Sequence, residues 1–203
     1  MTRLIDPVVL EGRHVMLEPM DLSHEAELRA AAADGELWKL WYTSVPAPDA
    51  TRGWIETALA QRDNLGAMPF VVRRLQNGMP GPLVGSTRMF NVDETHRRLE
   101  IGHTWYARSA QRTPVNTECK LLLLAHAFEQ LRCIAVEFRT HWMNHQSRAA
   151  IARLGAKQDG VLRSHMVMPD GSLRDTVVFS IIACEWPTVK RQLHYRLEMP
   201  RQG

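Results

Sequence analysis

The chain has 203 residues, 45% of them apolar and 23% charged, with a formal net charge of +3; this suits one compact domain with a full core and argues against disorder. Such mild basicity fits an anionic small ligand but not a nucleic-acid partner, because basic residues are scattered and alternate with acidic ones. Cys119, Cys133 and Cys184 form no CxxC pair, no apolar run reaches about 18 residues, and MTRLIDPVVLEGRHVML lacks a signal-peptide core, so the expectation is a reduced, cytoplasmic protein without a membrane partner.

Arg13 to Met20, RHVMLEPM, opens with a strand pattern in which Val15 and Leu17 share a face. Asp21 and Ser23 stand where a helix cap belongs, before HEAELRAAAA, a run of strong helix formers. Beyond Gly35 comes ELWKLWYTSVPAPD, where Trp38 and Trp41 lie three apart and on a helical turn would share a face. They either close over the core or wall a substrate cleft. Asp49 or Thr51 caps a second helix, TRGWIETALAQRD, ending near Asn64-Leu65-Gly66.

MPFVVRRL and LVGSTRMFN form a hairpin across the Asn77-Gly78 turn signal. In the next strand, RLEIGHTWYA, alternation places Leu99, Ile101 and His103 on one side and Glu100, Gly102 and Thr104 on the other, with Gly102 hinting at a bulge or a close backbone approach. The polar loop RSAQRTPVNT then leads into a helix over Glu118 to Leu131, with Thr117 or Asn116 as its cap. A loop opening into a helix presents unpaired N–H groups at the positive end of the helix dipole and so attracts phosphate. CIAVEFRTH reads as a buried strand, NHQSRAAIARLGA as a short helix ending at Gly155, and VLRSHMVMPDGSLRDTVVFSII as two strands joined by an Asp170-Gly171 turn. A last helix spans about 185–197, with Pro187 in its first turn.

The order predicts an α/β mixed sheet: an antiparallel meander, then two parallel strands joined by a right-handed crossover through the long helix, in one domain over residues 1–203. His141 and His145 have metal-ligand spacing, but no carboxylate or Cys completes a set, so no metal is expected. Cys119 reads as a buried structural thiol. The absence of GxSxG and of a Walker A lysine speaks against serine hydrolases and P-loop NTPases.

With QRTPVNTECKLLLLAHAF followed by NHQSRAAIARLGA, the chain resembles the GNAT superfamily of acyl-CoA-dependent N-acyltransferases, and within it the RimJ/RimL-like branch, which acetylates protein N-termini and related amines. The likeness runs from LEGRHVMLEPMD to DTVVFSII, and EIGHTW and LRSHMVMPDGSLRDTVVFSI also carry it. It implies a GNAT-like fold, a largely antiparallel sheet with one splayed parallel pair, and acetyl-CoA as cosubstrate in the gap. The pyrophosphate would be held by backbone N–H groups of a loop usually patterned Gln/Arg-x-x-Gly-x-Gly/Ala, which falls on Gln111, Arg112, Thr113, Pro114, Val115 and Asn116. Gln111 matches, whereas Pro114 and Asn116 stand where the family has glycine and glycine or alanine. Pro114 offers no N–H, leaving those of Arg112, Thr113, Val115, Asn116 and Thr117.

Acyl transfer to an amine requires removal of an ammonium proton, a donor for the oxyanion, and a proton for the departing thiolate. The resemblance puts Glu100 near the amine as base, although it can equally be an ion-pair partner of Arg97 or Arg98. It puts the oxyanion donor among the amides of Trp105, Tyr106 and Ala107, and Asn144 on the pantetheine arm. No tyrosine follows the parallel strand, so Ser147 stands as the candidate acid or, alternatively, as the cap of its helix. Trp38 and Trp41 would contact the acceptor, a protein N-terminus, a lysine or a small amine. A homodimer is common in the family. The competing class is a non-catalytic CoA-binding or protein-interaction module on the same fold.

Overall fold

The computed structural model describes residues 5–43 and 45–199; the termini of the expected 1–203 domain and Ser44, within the aromatic stretch, lie outside the described residues. Eight strands form one sheet: β1 Leu10–Glu11, β2 Val15–Pro19, β3 Met68–Gln76, β4 Met79–Asp93, β5 Arg98–Tyr106, β6 Ala135–His141, β7 Lys157–Val167 and β8 Leu173–Ile182. Their spatial order is β1-β2-β3-β4-β5-β6-β8-β7. Every neighbouring pair is antiparallel except β5 and β6. The helices are α1 Glu25–Ala33, α2 Thr51–Leu65, α3 Pro114–Ala125, α4 His145–Arg153 and α5 Trp186–Glu198. Among the described residues no helix is long and apolar enough to cross a membrane.

Local chemistry explains most boundaries. Asp21 caps the chain before α1: its carboxylate accepts Ser23 N–H at 2.8 Å while His24 Nδ1 accepts Asp21 N–H at 3.1 Å. Asn77 and Gly78 join β3 to β4 with φ of 53° and 75°, the paired left-handed residues of a type I′ turn. Gly66, with φ 65°, ends α2. At the start of α2 neither Asp49 nor Thr51 caps; Pro48–Ala50 form a 3-10 turn and the cap position is Ala50. Asp170-Gly171 is not a two-residue turn either. Residues 168–172 make a longer loop in which Asp170 Oδ1 accepts Ser172 N–H at 3.0 Å and only Gly171 is left-handed.

Two apolar layers sandwich the sheet. On one face Leu99, Ile101, Val136 and Phe138 pack with Leu123, Leu124, Val189 and Leu193 of α3 and α5; on the other Val71, Leu83 and Trp105 pack with Leu28, Ala32, Ile55 and Ala58 of α1 and α2. Burying side chains of this size contributes about 1.5–3 kcal/mol each. A carboxylate clamps α3 to the first hairpin. Buried Glu118 accepts the N–H groups of Arg13, His14 and Val15 at 2.9, 2.6 and 2.9 Å.

Candidate active site

The parallel pair opens partway along. β5 and β6 are in register only at Arg98–Ala135, Leu99–Val136 and Glu100–Glu137. Both strands then continue, to Tyr106 and His141, while β6 stays paired with β8 as far as His141–Thr176. The edges facing one another across this gap carry backbone groups without ladder partners. Ala107 donates its N–H to Val84 O at 2.8 Å, toward β4. Successive amides of a strand point to opposite edges, so that of Tyr106 points into the gap, and its carbonyl accepts Gln111 Nε2 at 3.1 Å.

A bulge sets which side chains line the opening. Pairing jumps from Arg88–Gly102 to Ser86–Trp105, so the single residue Thr87 faces His103 and Thr104, and His103 takes φ 49°. The expected alternation therefore reverses. His103 leaves the side of Leu99 and Ile101 and packs against Phe90 with ring centroids 4.9 Å apart; Phe90 is the register partner of Glu100. Thr104 turns instead toward α3, where it lies 2.8 Å from Thr87 Oγ1 and accepts Lys120 Nζ at 2.7 Å. Burial, with the charges of Arg88 and Arg174, pulls His103 down to about 4, so it is a neutral imidazole at physiological pH.

Glu100 occupies the vertex where the strands part. It is 5% exposed and has neither Arg97 nor Arg98 as partner. Asn91 Nδ2 donates to Glu100 Oε2 at 2.9 Å and Arg139 Nε stands 3.5 Å from the same oxygen, while Arg98 pairs with Glu137 at 2.5 Å. Desolvation outweighs these contacts and raises its pKa from the ordinary carboxylate value. A cavity of about 150 Å³ opens beside it, lined by Asn91, Arg98, Glu137 and Arg139. Gly102 is required by the Phe90 ring packed over it, since an added Cβ would lie 2.9 Å from that ring and 3.5 Å from Glu100 Oε1. A carboxyl group with raised pKa, facing a polar cavity at a strand opening, is suited to taking a proton from an amine.

α3 starts four residues earlier than expected. Thr113 is its cap and Pro114 its first residue, where a missing N–H costs nothing because that amide would be unpaired in any case. Thr113 Oγ1 reaches Ala110 O at 2.5 Å and Val115 N–H at 3.4 Å. The left-handed residue of the loop is Arg112, exposed, with φ 56°. Val115 is buried in the core, whereas Asn116 and Thr117 are half-buried in the first turn, where helix amides have no intrahelical acceptor or have just gained one.

Across the gap, Asn144 caps α4, its Oδ1 accepting Ser147 N–H at 2.9 Å. Ser147 is thus not the cap, and its half-buried side chain sits in the first turn beyond the end of β6. Trp38 and Trp41 do not share a helical face. A 3-10 turn covers only Leu37–Lys39, leaving Trp38 half-buried. Trp41, 56% exposed, lies edge-on to His141 with centroids 5.0 Å apart, at the end of β6. His141 Nδ1 accepts Met143 N–H at 3.0 Å, and its buried Nε2 has no acceptor.

Sequence reasoning missed Asn91 and Arg139 as partners of Glu100, because both contacts depend on strand register. It also missed Lys120, which lies under α3 with Nζ donating to Thr104 and Thr87 at 2.7 and 3.2 Å. The one signal for it was a lysine inside the apolar run CKLLLL. Burial pulls Lys120 down to about 8. Cys119 is fully buried beside Tyr106, and burial raises its thiol pKa, an inert structural environment.

A sheet with one parallel pair that parts around a buried carboxylate, followed by a loop running into a helix N-terminus, defines a class. The profile described as Acetyltransferase (GNAT) domain matches residues 14–157, and the chain belongs to that family. It is 30% identical over 106 residues to the "Putative ribosomal N-acetyltransferase YdaF" of Bacillus subtilis (strain 168), a match spanning 52% of this chain and 57% of that protein. A GCN5-related N-acetyltransferase from Brucella melitensis is 29% identical, superposes with a TM-score of 0.83 and covers 95% of this chain and 86% of its own. Mycobacterium smegmatis RimJ in complex with CoA-disulfide shares the fold at 23% identity and a TM-score of 0.75, with 94% of this chain and 95% of its own covered.

Proposed function

We propose that the chain moves an acetyl group from acetyl-CoA to a primary amine by direct attack in a ternary complex. The observation that carries this reading is the parting of β5 from β6 immediately after Glu100 and Glu137. It makes a slot for the thioester arm with Glu100 at its vertex. The amides of Arg112, Thr113, Asn116 and Thr117, with the Arg112 side chain, receive the pyrophosphate at the N-terminus of α3. The Tyr106 amide is the oxyanion donor of the 105–107 stretch, because that of Ala107 is engaged by Val84 O. Ionised Glu100 takes the ammonium proton directly or through a water, the amine attacks the thioester carbonyl, and the collapsing intermediate expels CoA thiolate. Ser147, in the first turn of α4, supplies the thiolate's proton, and Asn144 flanks the pantetheine arm. Trp41, beside His141, lines the acceptor's approach, with Trp38 behind it. The acceptor is a protein N-terminus or a small amine, and the enzyme acts in the cytoplasm.

Thiol release from acetyl-CoA, measured against N-terminal peptides and small amines, tests the reading. Turnover with at least one amine is expected. Tight CoA binding without turnover on any amine would make the chain a CoA-binding module instead.

A further inference from the structure

Glu100 shares its sheet face with two arginines that form no ion pair among the described residues. Arg88 of β4 is 3% exposed; its guanidinium donates to Gln61 Oε1 and lies 5.8 Å from the Trp54 ring centroid, and its buried Nε has no acceptor. Arg174 of β8 donates Nε to Thr176 Oγ1 at 3.0 Å. Thr176 is the register partner of His141, whose ring meets Trp41, which fixes Arg174, two residues away, on the same face. Among the described residues no carboxylate lies within 4.0 Å of either guanidinium.

Both charges lower the pKa of His103, and that of Arg174 also lowers those of Glu100 and His141. A third donor, Trp105 Nε1, is buried without an acceptor on this face, and its ring packs on Trp54, centroids 6.1 Å apart. Other arginines on the sheet are paired with carboxylates, Arg73 with Glu18 and Glu27, Arg98 with Glu137 and Arg163 with Asp175. A buried cation without an anion is costly to a fold, and unfilled buried donors mark an acceptor still to arrive.

Resting on the acetyl-transfer reading above, we propose that the acceptor amine carries a small anionic group, a carboxylate or a phosphate, held by Arg174 and Arg88 around His103 while its amino end faces Glu100. Such an arrangement also discriminates, since a neutral amine leaves the arginines unpaired.

The test compares glycine, β-alanine, 4-aminobutyrate and 5-aminopentanoate with n-alkylamines of the same length, and O-phosphoethanolamine with ethanolamine, reading kcat/KM by thiol release. At least one anionic acceptor is expected to exceed its neutral counterpart on the order of 100-fold, and the series that shows it distinguishes carboxylate from phosphate. Arg174→Gln should reduce that ratio at least about tenfold, with Arg174→Lys in between. Arg174, partly open to solvent, serves here because Arg88→Met in the buried layer can fail to fold. Equal rates for acids and amines, or a ratio unchanged in Arg174→Gln, overturn the proposal while leaving acetyl transfer intact. If no amine of any series releases thiol, acetyl transfer to small amines falls. Calorimetric titration with the amino acids and O-phosphoethanolamine then decides the anion site alone: heats absent for the alkylamines support it, and no heat for any overturns it.

Discussion

Replacing Lys120 by methionine is expected to stabilise the protein at neutral pH, an effect that should vanish in alkali. Nζ sits in the apolar layer beneath α3 with two threonine hydroxyls as its only hydrogen-bond acceptors among the described residues. Its pKa falls from 10.5 to about 8. Below pH 8 both folded and unfolded chains hold the proton, and the folded one bears the whole penalty of a buried charge, about 3 kcal/mol. Between pH 8 and 10.5 the unfolded chain binds more protons than the folded one, so stability rises with pH across that window. Methionine conserves volume and removes the charge, and it forfeits two hydrogen bonds worth about 1 kcal/mol each. Thr87 and Thr104 keep their own bond at 2.8 Å. The net gain at pH 7 is about 1–2 kcal/mol, on the order of 2–8 °C in Tm for a chain of this size. Denaturant melts of both proteins at pH 7, 8, 9 and 10 provide the assay, because their difference cancels other titrating groups. A difference that stays flat with pH, or a variant less stable at pH 7, would refute the reasoning.

Glu100→Gln should lower kcat by about 10²–10⁴-fold; in the wild type kcat/KM should climb with pH through a carboxyl pKa raised by burial, and a variant retaining full activity and the same pH profile would remove Glu100 from the chemistry. Ser147→Ala should leave the melting curve within about 0.5 kcal/mol of wild type, because Asn144 and not Ser147 caps α4; a fall in kcat at unchanged CoA affinity then isolates a proton-donating role, and unchanged kcat excludes it. Asn144→Ala should cost about 1 kcal/mol through the lost cap, with Asn144→Asp recovering most of it, as urea unfolding would report. Glu118→Ala strips the acceptor from three amides of the first hairpin, and roughly 3 kcal/mol of stability should go with it; a loss under about 1 kcal/mol would mean the clamp is dispensable.

The parts of the fold readable from sequence were those decided locally. Asn77-Gly78 demands two left-handed residues, and a long apolar helix between two strands enforces a parallel pair. Asp21 was readable for the same reason, as a short acceptor beside free amides. The start of α3 was misplaced because Pro114 was read as a loop residue, although proline is welcome at a first helical position and Thr113 before it is a good cap. The bulge was expected at Gly102, where the chain tolerates positive φ most cheaply, yet it falls on His103. Packing against Phe90 on one face and the Lys120–Thr87–Thr104 triangle on the other set its place, and neither is visible in a single strand. Glu100 stood out as a carboxylate inside a strand. Its partners Asn91 and Arg139 come from two other strands, nine and thirty-nine residues away in sequence.

The extra residue in β5 also makes the strand two reading frames joined end to end. Upstream of it, odd-numbered side chains enter the layer under α3; downstream, Tyr106 enters that layer and Trp105 enters the opposite one. A strand of the same length without the bulge would exchange Trp105 with Tyr106 between the layers. Deleting His103 would instead straighten the ladder, leave both aromatic side chains where they are, and remove only the imidazole that packs on Phe90.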